Sequence, residues 1–311
     1  MELSVGYGRA AGFIASSGAL ERPFVLIDVG ARDGIHPRWI PFEPAMEVFG
    51  FDAIAEIAPP NARHQYFKLA VGDYDGECAF DVPDNLYEAR ISPGGVHKIP
   101  IAKLDTLWEK KVLPPADFIK VDCEGSEPEV LRGAEQYLKA SNILAADVET
   151  NFHISPTLPM SHFAAVSAPL LEHRLLLAEL AFGAAQQSVW TGTCNVLFAR
   201  HFVHEREHGE SYTCRPPEPQ PSLDAILKTI AIFDVYALHG PAIALLQQFR
   251  ELIARRIDPD VLHERLTPLP PRLPGIERFL PHLGLGLWTG VKRLAGRLQS
   301  GTTARSSDFL D

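Results

Sequence analysis

The chain has 311 residues, 46% of them apolar and 22% charged, a globular balance that excludes a disordered, collagenous or disulfide-scaffold protein. At roughly 100–200 residues per domain, this length suits one large domain, or one domain with an extension. All of the net charge of −10 falls in the first half, where residues 1–150 hold 14 Lys and Arg against 24 Asp and Glu, while residues 151–311 hold 15 of each.

An acidic half of this kind argues against a nucleic-acid partner, because neutralising phosphates needs a basic footprint. No apolar run is long enough to span a bilayer. Glu2 stands where a secretory leader would be basic. Cys78, Cys123, Cys194 and Cys214 are scattered without a CxxC pair, which fits reduced thiols. Together these features predict a cytoplasmic protein.

In chain order, five unalternating apolar runs predict strands buried on both faces, and so a parallel sheet covered by helices. They are Phe24–Ile27, Glu47–Phe51, Gln65–Val71, Asp117–Val121 and Ser141–Ala146. Each is followed closely by an acid: Asp28, Asp52, Asp73, Asp122, and Asp147 with Glu149. Ligands of open α/β sheets bind outside that edge, so the acids predict one polar crevice built from several loops. Residues 76–82 and 96–101 read as two shorter strands, and Glu127–Leu138 as a helix with Pro128 in its first turn. Residues 161–172 read as a further helix, and His173–Leu180 with Cys194–Arg200 as an antiparallel closing pair.

Four prolines between Arg215 and Pro221 cannot sit in a helix or central strand and predict a linker over 215–221. This divides the chain into a domain over 1–214 and an α-helical C-terminal region over 222–311. There, Ser222–Ile257 shows helical spacing with Ser222 as N-cap, divided into a hairpin at Pro241. Leu283–Leu298 reads as a short basic amphipathic helix able to touch an anionic membrane surface.

The first strand runs into Asp28-Val29-Gly30-Ala31-Arg32-Asp33-Gly34. Glycines there let the backbone approach a ligand, and a following helix would present free N–H groups. Asp52, 24 residues on, is placed to accept the ribose hydroxyls of a nucleoside. A dinucleotide would want a second glycine where Arg32 stands. S-adenosylmethionine carries no phosphate and has a cationic end that Asp28 can meet, so it is preferred over a dehydrogenase cofactor. Asp73 would then lie near the adenine.

Lys103-Leu104-Asp105-Thr106-Leu107 is followed by Ile119-Lys120-Val121-Asp122-Cys123-Glu124-Gly125-Ser126-Glu127, with Val130-Leu131-Arg132-Gly133-Ala134 after it. These stretches resemble the FkbM-type S-adenosylmethionine-dependent methyltransferases, and the resemblance runs from about Phe24 to Arg200. It implies a Rossmann-like class I methyltransferase fold: a doubly wound, mostly parallel sheet with an antiparallel closing strand. It also implies O-methylation, often of a sugar hydroxyl in a glycan, glycolipid or natural product. Residues 215–311 have no counterpart in it.

Methyl transfer to a hydroxyl requires alignment and removal of one proton. Asp122 and Glu124 are the expected bases, with Lys120 pairing one of them or orienting the acceptor oxygen. His97 and His153 are alternatives, and Glu127 is expected to cap its helix. The expected cofactor contacts are Asp28, Gly30, Ala31, Gly34, Asp52 and Asp73. No metal is expected; the alternative is an oxygen set of Asp122, Glu149 and Asn151 suited to Mg²⁺. A rival from another class is a methyltransferase-like scaffold without turnover, serving glycan assembly.

Overall fold

A computed structural model describes residues 8–84, 89–152, 161–182, 193–200, 202, 206–207, 210–211 and 221–268. Strands β1 (Phe24–Val29), β2 (Met46–Asp52) and β3 (His64–Lys68) open a seven-stranded sheet. Two further strands, β4 (Ala70–Val71) and β5 (Gly76–Asp81), join β6 (Arg90–Ile91) and β7 (His97–Ala102) in a separate four-stranded sheet. The main sheet continues with β8 (Phe118–Val121), β9 (Ala145–Asn151), β10 (Leu175–Phe182) and β11 (Thr193–Arg200), in the order β10-β11-β9-β8-β1-β2-β3. Only β11 runs against its neighbours, pairing antiparallel with both β9 and β10. This is the doubly wound, mostly parallel sheet with an antiparallel closing strand that the resemblance implies.

The central strands bury both faces, because alternate side chains enter two different cores. Phe24, Leu26, Met46, Val48 and Phe118 face one core, while Val25, Ile27, Val29, Ile119 and Val121 face the other. Helices α2 (Leu104–Glu109), α3 (Glu127–Arg132), α4 (Glu135–Ser141) and α5 (Phe163–Glu172) follow the small sheet in the chain, and all four supply residues to the second core. The first core is closed by α1 (Arg9–Ser16) together with α6 (Leu223–Val235), α7 (His239–Gln248), α8 (Arg250–Ile253) and α9 (Pro259–Leu266).

Several expectations are corrected here. No α-helix follows β1; the connection to β2 holds two short 3-10 turns, Pro37–Trp39 and Glu43–Ala45. The face that such a helix would cover is filled by α1 and α6, from opposite ends of the chain. The compact unit accordingly runs Met1–Pro268, and the proline-rich stretch does not bound the core. The run 65–71 divides between two sheets. The expected helix 127–138 breaks at Gly133, where a Cβ would lie 1.9 Å from the carbonyl oxygen of Gly72. The fifth strand starts at Ala145 because Asn142, in the left-handed region (φ 55°), ends α4. The helical hairpin turns at Ala237 (φ 62°), and Pro241 sits inside the first turn of α7, where a missing N–H costs little. Among the described residues no helix is long and apolar enough to cross a membrane. The expected basic helix 283–298 lies outside the described residues.

Candidate active site

The carboxyl ends of β1, β2, β8 and β9 open into a cavity of about 590 Å³. Strand order sets its layout, with Asp52 on β2, Asp28 on β1, Lys120 and Asp122 at β8, and Glu149 on β9. Register brings Asp28 opposite Lys120, and Lys120 opposite Asp147 of β9. Opposite side chains on one face of neighbouring strands are in mutual reach.

Lys120 Nζ lies 3.5 Å from Asp28 Oδ1 and 3.3 Å from Asp122 Oδ2, and donates to the Gly30 carbonyl at 3.4 Å. Burial pushes the Asp28 carboxyl up to about 6, against the pull of Lys120. Burial by itself would lower the Lys120 ammonium, but Asp28 and Asp122 outweigh it and raise it, so the cation persists at neutral pH.

Two glycines shape the turn. Gly30 has φ 86°, and a Cβ there would stand 1.8 Å from the Asp122 carbonyl oxygen. Its freedom therefore serves the close approach of the β1 and β8 loops. Gly34, at φ 77°, lines the cavity. Ala31 does not line it; its N–H donates to the Phe51 carbonyl, binding the turn to β2.

Asp52 is buried at the end of β2. Its Oδ1 accepts the N–H groups of Ile54 and Ala55 at 2.8 and 2.6 Å, and its Oδ2 lies 3.5 Å from Arg32 Nε. Arg32 thus pairs with the acid of the second strand, a contact with no local sequence signal. Beyond Asp52 the wall turns apolar with Leu69, Val71, Phe80 and Ile91, the last three from the small sheet. Asp73 is not brought here. It is exposed and holds Arg132 of α3 at 3.1 Å.

At the opposite end, oxygens of Asp122, Glu124 and Glu149 come within 4.8 Å of one another. Glu124 sits at φ 61° and Gly125 at φ 104°, a backbone that a non-glycine residue adopts only under outside constraint. Glu127 supplies it: fully buried, it accepts the N–H groups of Cys123 (2.8 Å) and Gly125 (3.1 and 3.2 Å). Glu127 thus ties down the loop that carries both acids while standing in the first turn of its own helix, where a carboxylate is favoured. Burial, then the charges of Asp122, Glu124 and Glu127, push Glu149 up to about 8.

Three carboxylates so placed can share protons or hold a divalent cation. Asn151 does not join them; it is buried, and its amide donates to the Ser161 carbonyl. His97 is exposed on β7 and away from the cavity lining, and His153 lies outside the described residues. His36, which drew no attention in the sequence, does line the cavity. Burial and the neighbouring Arg38 and Lys120 lower it to about 4, so its ring is neutral near pH 7.

Residues 28–173 match the family described as the methyltransferase FkbM domain. No curated protein matches the chain. Among solved structures, a methyltransferase FkbM from Methylobacillus flagellatus KT superposes with TM-score 0.36 at 14% identity, covering 60% of this chain and 47% of its own. The chain therefore spans about half the length of that protein. The magnesium protoporphyrin IX methyltransferase of Synechocystis PCC 6803, with bound SAM, gives TM-score 0.32 at 9% identity, over 62% of this chain and 76% of its own. The 1,6-didemethyltoxoflavin-N1-methyltransferase of Burkholderia thailandensis, with bound 1,6-didemethyltoxoflavin and S-adenosylhomocysteine, gives 0.31 at 12%, over 62% and 77%. These superpositions are loose, and the family assignment rests on the sequence match: over residues 28–173 the chain carries a methyltransferase FkbM domain.

Proposed function

We propose that the cavity binds S-adenosylmethionine and that the protein transfers its methyl group to a hydroxyl, the acceptor being a sugar of a glycan, glycolipid or natural product. One arrangement carries this reading. A single cavity places Asp52 and an apolar wall at one end, the Asp28–Lys120 pair in the middle, and three carboxylates at the other.

The residues present fit the cofactor. Two backbone amides hold Asp52 Oδ1, and Oδ2, which faces Arg32 at 3.5 Å, has a second lone pair to offer a ribose hydroxyl. Leu69, Val71, Phe80 and Ile91 suit an adenine face. Lys120 and Asp28 offer a cation and an acid to a zwitterionic amino-acid end. When bound, the cofactor supplies an electrophilic methyl group on a sulfonium. The sugar acceptor follows from the family resemblance; the carboxylate cluster supports it by offering acceptors for hydroxyl protons. Glu149, with its pKa near neutrality, accepts the proton that the hydroxyl loses, since a base poised near working pH is the effective one. Asp122 and Glu124 orient the acceptor and tune Glu149 by charge.

Calorimetric titration with S-adenosylhomocysteine and with NAD tests the cofactor. The expected result is binding of the first alone, weakened in Asp52→Ala by about 10-fold to 100-fold, the scale of a lost charged hydrogen bond. Failure to bind either compound would favour the scaffold alternative.

A further inference from the structure

The loop over residues 32–37 forms one wall of the cavity, and its outer support comes from the far end of the described chain. Tyr236 closes α6. Its hydroxyl donates to Asp147 Oδ2 at 2.6 Å. The Arg38 guanidinium lies over its ring, 4.3 Å from the centroid, with Nη1 3.9 Å from the same carboxylate oxygen. Both the backbone N–H and Nε of Arg38 donate to His36 Nδ1 at 3.1 Å, and His36 and Pro37 line the cavity. A continuous set of contacts thus runs from α6 to the cavity wall. Asp147 also stands beside Lys120 in the β8–β9 register, so the residue that Tyr236 holds adjoins the charged floor as well.

The placement of Tyr236 is itself over-determined. Its ring packs edge-on against Trp39, with centroids 6.1 Å apart. Directly after it, the Ala237 N–H bonds to the Asp234 carbonyl and the Leu238 N–H to the Phe233 carbonyl, the pattern that locks a helix end.

We propose that Tyr236 is a positioning residue for the cofactor loop: through Arg38 and Asp147 it holds the wall formed by His36 and Pro37, so the site is completed by a helix beyond the matched residues 28–173. The link to cofactor binding rests on the reading given above.

Tyr236→Phe in the full chain tests this, since it keeps the ring and removes only the hydroxyl. Hydrogen exchange of the Arg38, Trp39 and Ile40 amides should quicken by about threefold to tenfold, the scale of one net hydrogen bond, with α6 and the sheet unchanged. The affinity for S-adenosylhomocysteine should fall by a similar factor. Arg38→Met breaks the same link from the partly exposed side, which guards against a misfolded Tyr236 variant. If the two act through one link, the double variant should bind no more weakly than the worse single one. Unchanged exchange at residues 38–40, uniform quickening through α6 and the sheet, or fully additive losses would overturn the proposal. A wild-type protein that fails to bind S-adenosylhomocysteine would overturn the cofactor reading, and the exchange pattern would still decide whether Tyr236 holds the loop.

Discussion

Glu149 lies partly buried on β9 with two other carboxylates facing it, and that placement sets its protonation. Burial is the first cause of its rise to about 8, and the neighbouring negative charges add to it. As the proposed base, Glu149 would be protonated at pH 7 and gain activity as pH rises. kcat/KM should therefore climb between about pH 7 and 9 on a limb that belongs to the cluster as a whole. Asp122→Asn removes a repelling charge, so the limb should move to lower pH while the maximal rate drops. Glu149→Gln should abolish the limb and cost about 10²–10⁴-fold in turnover. A profile with the same inflection in wild type and Asp122→Asn would place the titrating group elsewhere.

At the scale of an element, α6 is buried nearly all round, so its polar residues need partners. Lys228, fully buried, reaches Asp117 at 3.0 Å and Asp224 at 2.9 Å. Asp234 accepts the N–H groups of Ala10 and Ala11 at 2.8 and 2.9 Å. It thereby caps α1, whose own N-cap is Gly8 and has no side chain to offer. The end of α6 carries a local conflict, because Ala237 occupies the left-handed region that its turn demands. For a residue with a Cβ this costs roughly 1–2 kcal/mol, while glycine's extra freedom in the unfolded chain returns about 0.5–1 kcal/mol. Ala237→Gly should stabilise the protein by about 0.5–1 kcal/mol, read as a raised urea midpoint with an unchanged slope. A lowered midpoint would contradict the strain argument.

For the whole molecule, the helices after the proline-rich stretch are one of the two layers that cover the sheet. Ile226, Leu227, Ile230, Leu245 and Leu246 are each 0–1% exposed. Burying five such side chains contributes on the order of 10 kcal/mol, comparable to a domain's entire stability of about 5–15 kcal/mol. A chain ended at residue 221 should accordingly aggregate or bind ANS with loss of near-UV circular dichroism. One ended at 268 should keep a cooperative thermal transition. A well-folded 1–221 fragment would show that the helices are dispensable.

The strands, the acids at their ends and the FkbM stretch around Asp122 were legible because they depend on neighbours in the chain: apolar runs, tight turns and a spaced motif. So were Asp28, Gly30, Gly34, Asp52, Lys120, Asp122 and Glu124 as lining residues of one crevice, since strands of one parallel sheet deliver their carboxyl ends to one edge. The roles of Gly30 and Glu127, the pairing of Arg32 with Asp52, the departure of Asp73 and Ala31 from the cavity, the arrival of His36, and the meeting of Glu149 with Glu124 in place of Asn151 were not. Each depends on which loop packs against which, a matter of contacts between residues far apart in the chain. The same holds for the covering layer. Helical spacing marked residues 222–257 as helices, but only the packed structure decided that they replace the helix missing after β1, because a sheet's apolar face must be buried by whatever segment reaches it.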